Sequence, residues 1–215
     1  MTATALNVPA AVATTAPVVK IGRKTLDRIL VWLGAVIAVV LFIAAALLYW
    51  GSSFAGDYVS DELSAQNISF PDADSLTGQG RDDLVKFAGQ QVTTGEQAEA
   101  YAGYIGGHIE GIADGMTYAE LGGPERAANA AVTAAVADGA DAATIAALEE
   151  EANAISEQRE SIFRGEMLRG TLLNTFAWST IGTIAGYAAW AAIAAGVVMT
   201  LLVFAGLGHL RKLSH

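Results

Sequence analysis

The chain contains no cysteine. Disulfides, thiol nucleophiles and cysteine-held metals are therefore excluded, and any exported part must be held by helix packing or by partners. Histidine is scarce as well. His209 and His215 fall within the last seven residues, which leaves His108 alone in the body of the chain. Charged residues make up 16%, against about 25% in an ordinary soluble domain. No segment longer than a few residues alternates apolar and polar side chains, so the half-buried strand pattern is missing. A P-loop, G-x-S-x-G, H-E-x-x-H and the dinucleotide fingerprint are also missing. These absences predict an all-α chain and identify no enzyme class.

What is present in excess is apolar sequence. Ile29 to Trp50 holds no charge in 22 positions and would reach roughly 33 Å as a helix, enough for a hydrocarbon core of about 30 Å. A second charge-free block runs from Thr171 to Leu210; it exceeds one span, and its membrane part is placed near Ser179 to Leu207. A cleaved signal peptide ending near Ser53-Phe54-Ala55 is the competing reading of the first block. Its apolar run is well beyond the roughly 7–15 residues of a signal core, so an uncleaved anchor is expected.

Lys20, Arg23, Lys24 and Arg28 precede the first block, and Arg211 and Lys212 follow the second. The positive-inside bias then puts both termini in the cytoplasm of a two-span protein of the cell membrane. Gly51 to Gly170 lies outside, with 21 Asp/Glu against 6 Lys/Arg, a net of −15. Such an acidic surface argues against nucleic acid and anionic headgroups as ligands. The expected layout is a disordered cytoplasmic tail (1–19), a basic juxtamembrane segment (20–28), transmembrane helix 1 (29–50), an acidic helical extracytoplasmic domain (51–170), transmembrane helix 2 with its outer approach (171–208) and a cytoplasmic tail (209–215).

Between the spans the pattern stays helical. Phe54, Tyr58, Val59 and Leu63 carry the first helix outward to about Gln66, where Asn67-Ile68-Ser69-Phe70-Pro71 stops it. PDADSLTGQG reads as a loop, followed by a short helix around Asp82 to Gln90. Thr93 and Glu96 stand in capping-box relation, opening a helix whose apolar face, Ala98, Tyr101, Ile105, Ile109, Ile112 and Met116, includes His108. Thr117 and Glu120 repeat that signal for a short helix ending at Gly122-Gly123. Pro124 then suits the first position of a further helix that ends at Asp138-Gly139. Asp141 caps the last helix, with Ile145, Leu148, Ala152, Ile155, Ile162 and Phe163 as its apolar stripe and Glu149 to Glu151 on the solvated side. It flows towards the second span without a breaker stronger than glycine.

The second block has a face of small residues, Gly182, Ala185, Gly186, Ala189, Ala192 and Gly196, and the first offers Gly34 and Ala38 at small-xxx-small spacing. Gly182, Gly186, Ala189, Gly196, Gly34 and Ala38 are the candidate helix-packing residues, within the chain or between subunits. Trp32, Tyr49, Trp50 and Trp178 fall near the expected interfaces, whereas Tyr187 and Trp190 do not.

His108 has no ligand-type residue three or four positions away, and a metal site needs at least two more. It reads first as a hydrogen-bonded packing residue and second as a pH-responsive or interface contact. The spans contain no ionisable group of the kind that relays protons or ions. No catalytic, metal or cofactor-binding residue is identified, and no cofactor is implied.

The stretches YVSDELSAQNISFPDA (58–73), FAGQQVTTGEQAEAYAGYIGGHI (87–109), GMTYAEL (115–121) and FRGEMLRGTLLNTFAW (163–178) resemble a group of actinobacterial two-span membrane proteins of unknown function. The resemblance covers most of residues 25–205. Some members carry the label of aromatic ring-opening dioxygenase, a chemistry that holds iron between two histidines and a carboxylate. With His108 the sole histidine between the spans, one chain lacks the second ligand. The expected function is a non-enzymatic accessory subunit of a cell-envelope assembly, respiratory or transport in type. Its partners are other membrane subunits or further copies of itself, within the lipid bilayer. The alternatives are an extracytoplasmic sensor or ligand-binding protein and, after that, a homo-oligomeric pore.

Overall fold

The computed structural model describes residues 22–212; the expected tail 1–19, Lys20 and His215 lie outside them. The fold is 85% helix, and no strand forms among the described residues. In chain order come α1 (Arg23–Ala65), α2 (Ala73–Gly78), a 3-10 helix (Asp82–Phe87), α3 (Gly95–Glu110), α4 (Tyr118–Ala137) and α5 (Ala142–Lys212). α1 and α5 are both long and apolar enough to cross a membrane. Contacts divide the chain into a smaller unit, residues up to 42 with those from 193, and a larger one, residues 43–192.

α1 runs unbroken for 43 residues because no proline interrupts it, and it stops where Asn67 turns left-handed at φ +51°. α5 is one helix of 71 residues, continuous from the acidic segment into the second apolar block. In the larger unit α1 contributes Val59 and Leu63, and α5 contributes Leu172, to a core with Phe70, Leu76, Leu84, Phe87, Val92, Ala98 and Ala102. Phe70 stacks on Phe87 and meets Tyr101 edge-on, both at 5.2 Å between ring centres. Leu76 is fully enclosed, a burial worth roughly 1.5–3 kcal/mol. A second cluster joins Ile109, Ala113 and Leu121 to Ile162 of α5.

Four local expectations need correction. The PDADSLTGQG segment is not all loop. Asp72 caps α2 by accepting from the Ser75 backbone N–H at 2.8 Å, which lets Leu76 enter the core.

The α3 capping box uses Thr94 and Gln97 instead of Thr93 and Glu96. Gln97 is buried; its Oε1 accepts from both Thr93 and Thr94 while its Nε2 donates to Gln90 Oε1 at 3.0 Å. An amide can both donate and accept, whereas a carboxylate enclosed there would lack a counter-charge. Glu96 points outward to Lys86 at 2.8 Å instead.

The buried face of α3 centres on Ala98, Ala102 and Ile109, so His108 lies off it and is exposed. Finally, α4 does not break at Gly122-Gly123: Pro124 sits inside one helix. Arg159 of α5 holds both sides of that proline, donating from Nε to the Tyr118 carbonyl at 3.2 Å and from Nη1 to Glu125 at 2.6 Å. Tertiary contact thus offsets the hydrogen bond that proline removes.

Candidate functional site

In the smaller unit α1 and α5 touch through small residues. A side chain at Gly34 would meet Val203 at 3.1 Å, and one at Gly196 would meet the Phe42 ring at 3.1 Å. Gly206, which the residue pattern did not single out, leaves room for Val31, and Ala38 is buried. Beside this contact a groove of about 410 Å³ is lined by Asp27, Gly34, Met199, Val203 and His209. Within it Asp27 Oδ2 is enclosed without a hydrogen-bond partner.

The larger unit repeats the arrangement. The absent side chain of Gly182 is where Ala55 sits, 2.9 Å from the Cβ position, and Gly186 makes room for the Ser52 hydroxyl at 2.8 Å. Ala189 is fully buried. Within each unit the candidate glycines, Gly34 and Gly196 in the smaller and Gly182 and Gly186 in the larger, thus lie where α1 and α5 approach closely in antiparallel sense. Two further close approaches were not read from the sequence. Gly95, the first residue of α3, rests on Ser179 of α5, and Gly165 rests on Ile109 at 2.8 Å. Their only signal was a glycine in a helix, which carries no partner's name.

His108 occupies the rim of an open groove of about 450 Å³ with Gln79, Arg81, Tyr104 and Ile112. Its Nδ1 is 3.1 Å from the Tyr104 carbonyl. A carbonyl only accepts, so Nδ1 carries the proton and Nε2 of the neutral ring is left to the solvent. The imidazole also lies 4.5 Å from the Tyr104 ring. Arg81 is already engaged: it forks onto Asp83 at 3.0 and 2.9 Å and donates to the Gly103 carbonyl at 3.1 Å. That hydrogen bonding holds Asp83 below the ordinary carboxylate range and Arg81 above its ordinary value. The groove offers one imidazole, the Tyr104 side chain and a guanidinium already paired with Asp83.

A third groove, about 370 Å³, opens between α1 and α5 of the larger unit and mixes Tyr58, Trp178 and Leu168 with Glu62, Gln66 and Asn174. Among the described residues no three His, Asp or Glu converge as a ligand set. Comparison with protein-family models, with curated proteins and with solved structures found no match.

Proposed function

We propose that the chain is a non-enzymatic integral membrane subunit with both termini in the cytoplasm, whose acidic helical segment faces outward and docks a partner in a cell-envelope assembly. The observation that carries this reading is the surface of α1 and α5. Their most apolar 18-residue windows have mean hydropathies of 2.9 and 2.2, yet only 11% and 6% of those windows is buried within the chain. A core helix of a soluble protein would enclose such a face; here lipid or another subunit must cover it. A removable signal segment fits poorly, because Ala38, Ala45 and Ala55 are all buried on α1. The basic residues at Arg23, Lys24 and Arg28 and at Arg211 and Lys212 favour a cytoplasmic position for both ends.

The segment between the two apolar blocks carries the net charge of −15, which suits a basic partner surface and electrostatic steering towards it. The resemblance to actinobacterial two-span proteins supports the two-span layout of this reading. A ligand-binding sensor remains the second reading, favoured by the 370 Å³ groove of mixed polarity at Tyr58, Glu62, Asn174 and Trp178. Affinity purification in mild detergent followed by mass spectrometry separates the two. The subunit reading expects a defined set of co-purifying membrane proteins, and a chain recovered alone would overturn it.

A further inference from the structure

The seam between α1 and α5 fixes the depth at which each exposed aromatic stands. In the larger unit Ser52 faces Gly186 and Ala55 faces Gly182. Moving one residue inward along α1 therefore matches one residue onward along α5. That register sets Tyr187 level with Trp50, beside Tyr49, and places Trp190 about 4.5 Å deeper. These four rings lie within one helical turn of each other on two different helices. All point away from the seam, with exposures of 57% for Tyr49, 67% for Trp50, 74% for Tyr187 and 65% for Trp190. Tyrosine and tryptophan gather where hydrocarbon meets headgroups, because their rings are apolar at one end and polar at the other.

Resting on the membrane reading above, we infer that the outer edge of the hydrocarbon lies at this four-ring belt, and that the helical tract beyond it, up to Tyr58 and Trp178, is bedded in phospholipid headgroups. Twenty residues span about 30 Å. Counted from Trp50 they end at Leu30, two positions from Arg28; counted from Tyr187 they end at Leu207, four positions before Arg211. Counted along each helix by itself, the length of one hydrocarbon core thus ends near basic residues.

The competing edge is the next aromatic level, Tyr58 with Trp178. From Leu30 to Tyr58 a helix covers about 42 Å, which fits a core of about 30 Å only at a tilt near 44°, beyond the usual range of roughly 0–40°. That edge would also immerse Asp57. It would further draw the start of α3, where Gly95 rests on Ser179 and the Lys86–Glu96 pair is exposed, down to the hydrocarbon. Charge in that medium is strongly disfavoured.

The tract between the two levels has the mixed character that headgroups suit. Ser53, Gly56, Thr180 and Thr183 alternate there with Phe54, Ile181 and Ile184, all exposed. Trp50, Phe54 and Tyr58 stack up one side of α1 at 5.8 and 6.1 Å.

The absence of cysteine makes the test clean. Single Val39→Cys, Ser53→Cys, Thr183→Cys and Val197→Cys variants of the full chain are spin-labelled in mixed vesicles of phosphatidylethanolamine and phosphatidylglycerol. Collision with oxygen is compared with collision with a water-soluble nickel chelate. The inference expects positions 39 and 197 to be oxygen-dominated, and chelate collision to be several-fold higher at 53 and 183. Oxygen dominance at 53 and 183 equal to that at 39 would move the edge up to Tyr58 and overturn it. Protection of 53 and 183 from both probes would also overturn it, showing protein where lipid is inferred. Chelate access at 39 and 197 would instead sink the membrane reading itself.

Discussion

Arg159 reaches across from α5 to Glu125 of α4 at 2.6 Å, with the two side chains 25% and 21% exposed. The same guanidinium lies 4.0 Å over the Tyr118 ring and donates to the Tyr118 carbonyl. One residue thereby holds α4 at its first residue, six positions before Pro124, and again just after the proline. Ser156 adds a hydroxyl donated to the other carboxylate oxygen of Glu125 at 3.0 Å.

Arg159→Ala removes all three contacts. Exposed ion pairs contribute at most about 1 kcal/mol and breaking a buried pair costs 3–5 kcal/mol, so a pair at this depth is worth about 1–2 kcal/mol. The expected result is faster amide exchange across residues 118–137, greatest around Pro124, with α3 unchanged. Arg159→Lys should not rescue it, because an ammonium cannot reach two acceptors in the fork geometry. Exchange rates in 118–137 that match the parent chain would show α4 to be held by something else.

Gly95→Ala places a methyl group onto Ser179. Overpacking of this sort costs about 1–3 kcal/mol, read as a lowered thermal midpoint in detergent. Paired with Ser179→Gly, the loss should be smaller than the sum of the single losses by at least about 1 kcal/mol. Strict additivity would mean that α3 and α5 do not touch there.

Gly182→Leu puts a branched side chain where Ala55 stands 2.9 Å from the Cβ position. The α1–α5 seam should open, measured as a longer distance between spin labels at positions 52 and 186. Gly170→Ala on the same helix meets nothing within 4 Å and should stabilise by about 1 kcal/mol through helix propensity. If both variants behave alike, the small residues are not what sets the seam.

Glu120 closes the α4 capping box by accepting from the Thr117 backbone N–H and hydroxyl, both at 2.8 Å, which holds its carboxyl below the ordinary glutamate value. The folded chain therefore binds this proton less readily than the unfolded chain. The cap's contribution is whole above the ordinary glutamate range, about pH 4.3, and is lost as pH falls through the lower folded value. Amide protection over the first turn of α4 should decline on acidification, and Glu120→Gln should make that decline disappear. A decline that persists in Glu120→Gln would assign it to another group.

The His108 ring should be found as the Nδ1–H tautomer when neutral, since its partner is the Tyr104 carbonyl. Nitrogen chemical shifts from labelled histidine read this directly. An Nε2–H majority would mean that the bond to Tyr104 does not persist in solution.

Residue pattern alone sufficed for the helical class, for two helices apolar enough to cross a membrane, for the Thr117–Glu120 box and for the Asp141 cap, which donates no choice to the rest of the fold: its carboxylate takes the Thr144 N–H at 2.8 Å. Such features depend on neighbours within one turn, and periodicity and capping chemistry are visible at that range. Tertiary structure decided what depends on partners far along the chain. It chose Gln97 over Glu96 because only an amide suits that enclosed position, and it carried α4 through Pro124 because Arg159 lies 34 positions away from Glu125. It turned His108 outward because Ala98, Ala102 and Ile109 took the buried face. It also brought Tyr187 and Trp190 level with Tyr49 and Trp50, since depth along α5 has meaning only once Ser52 and Ala55 have settled against Gly186 and Gly182.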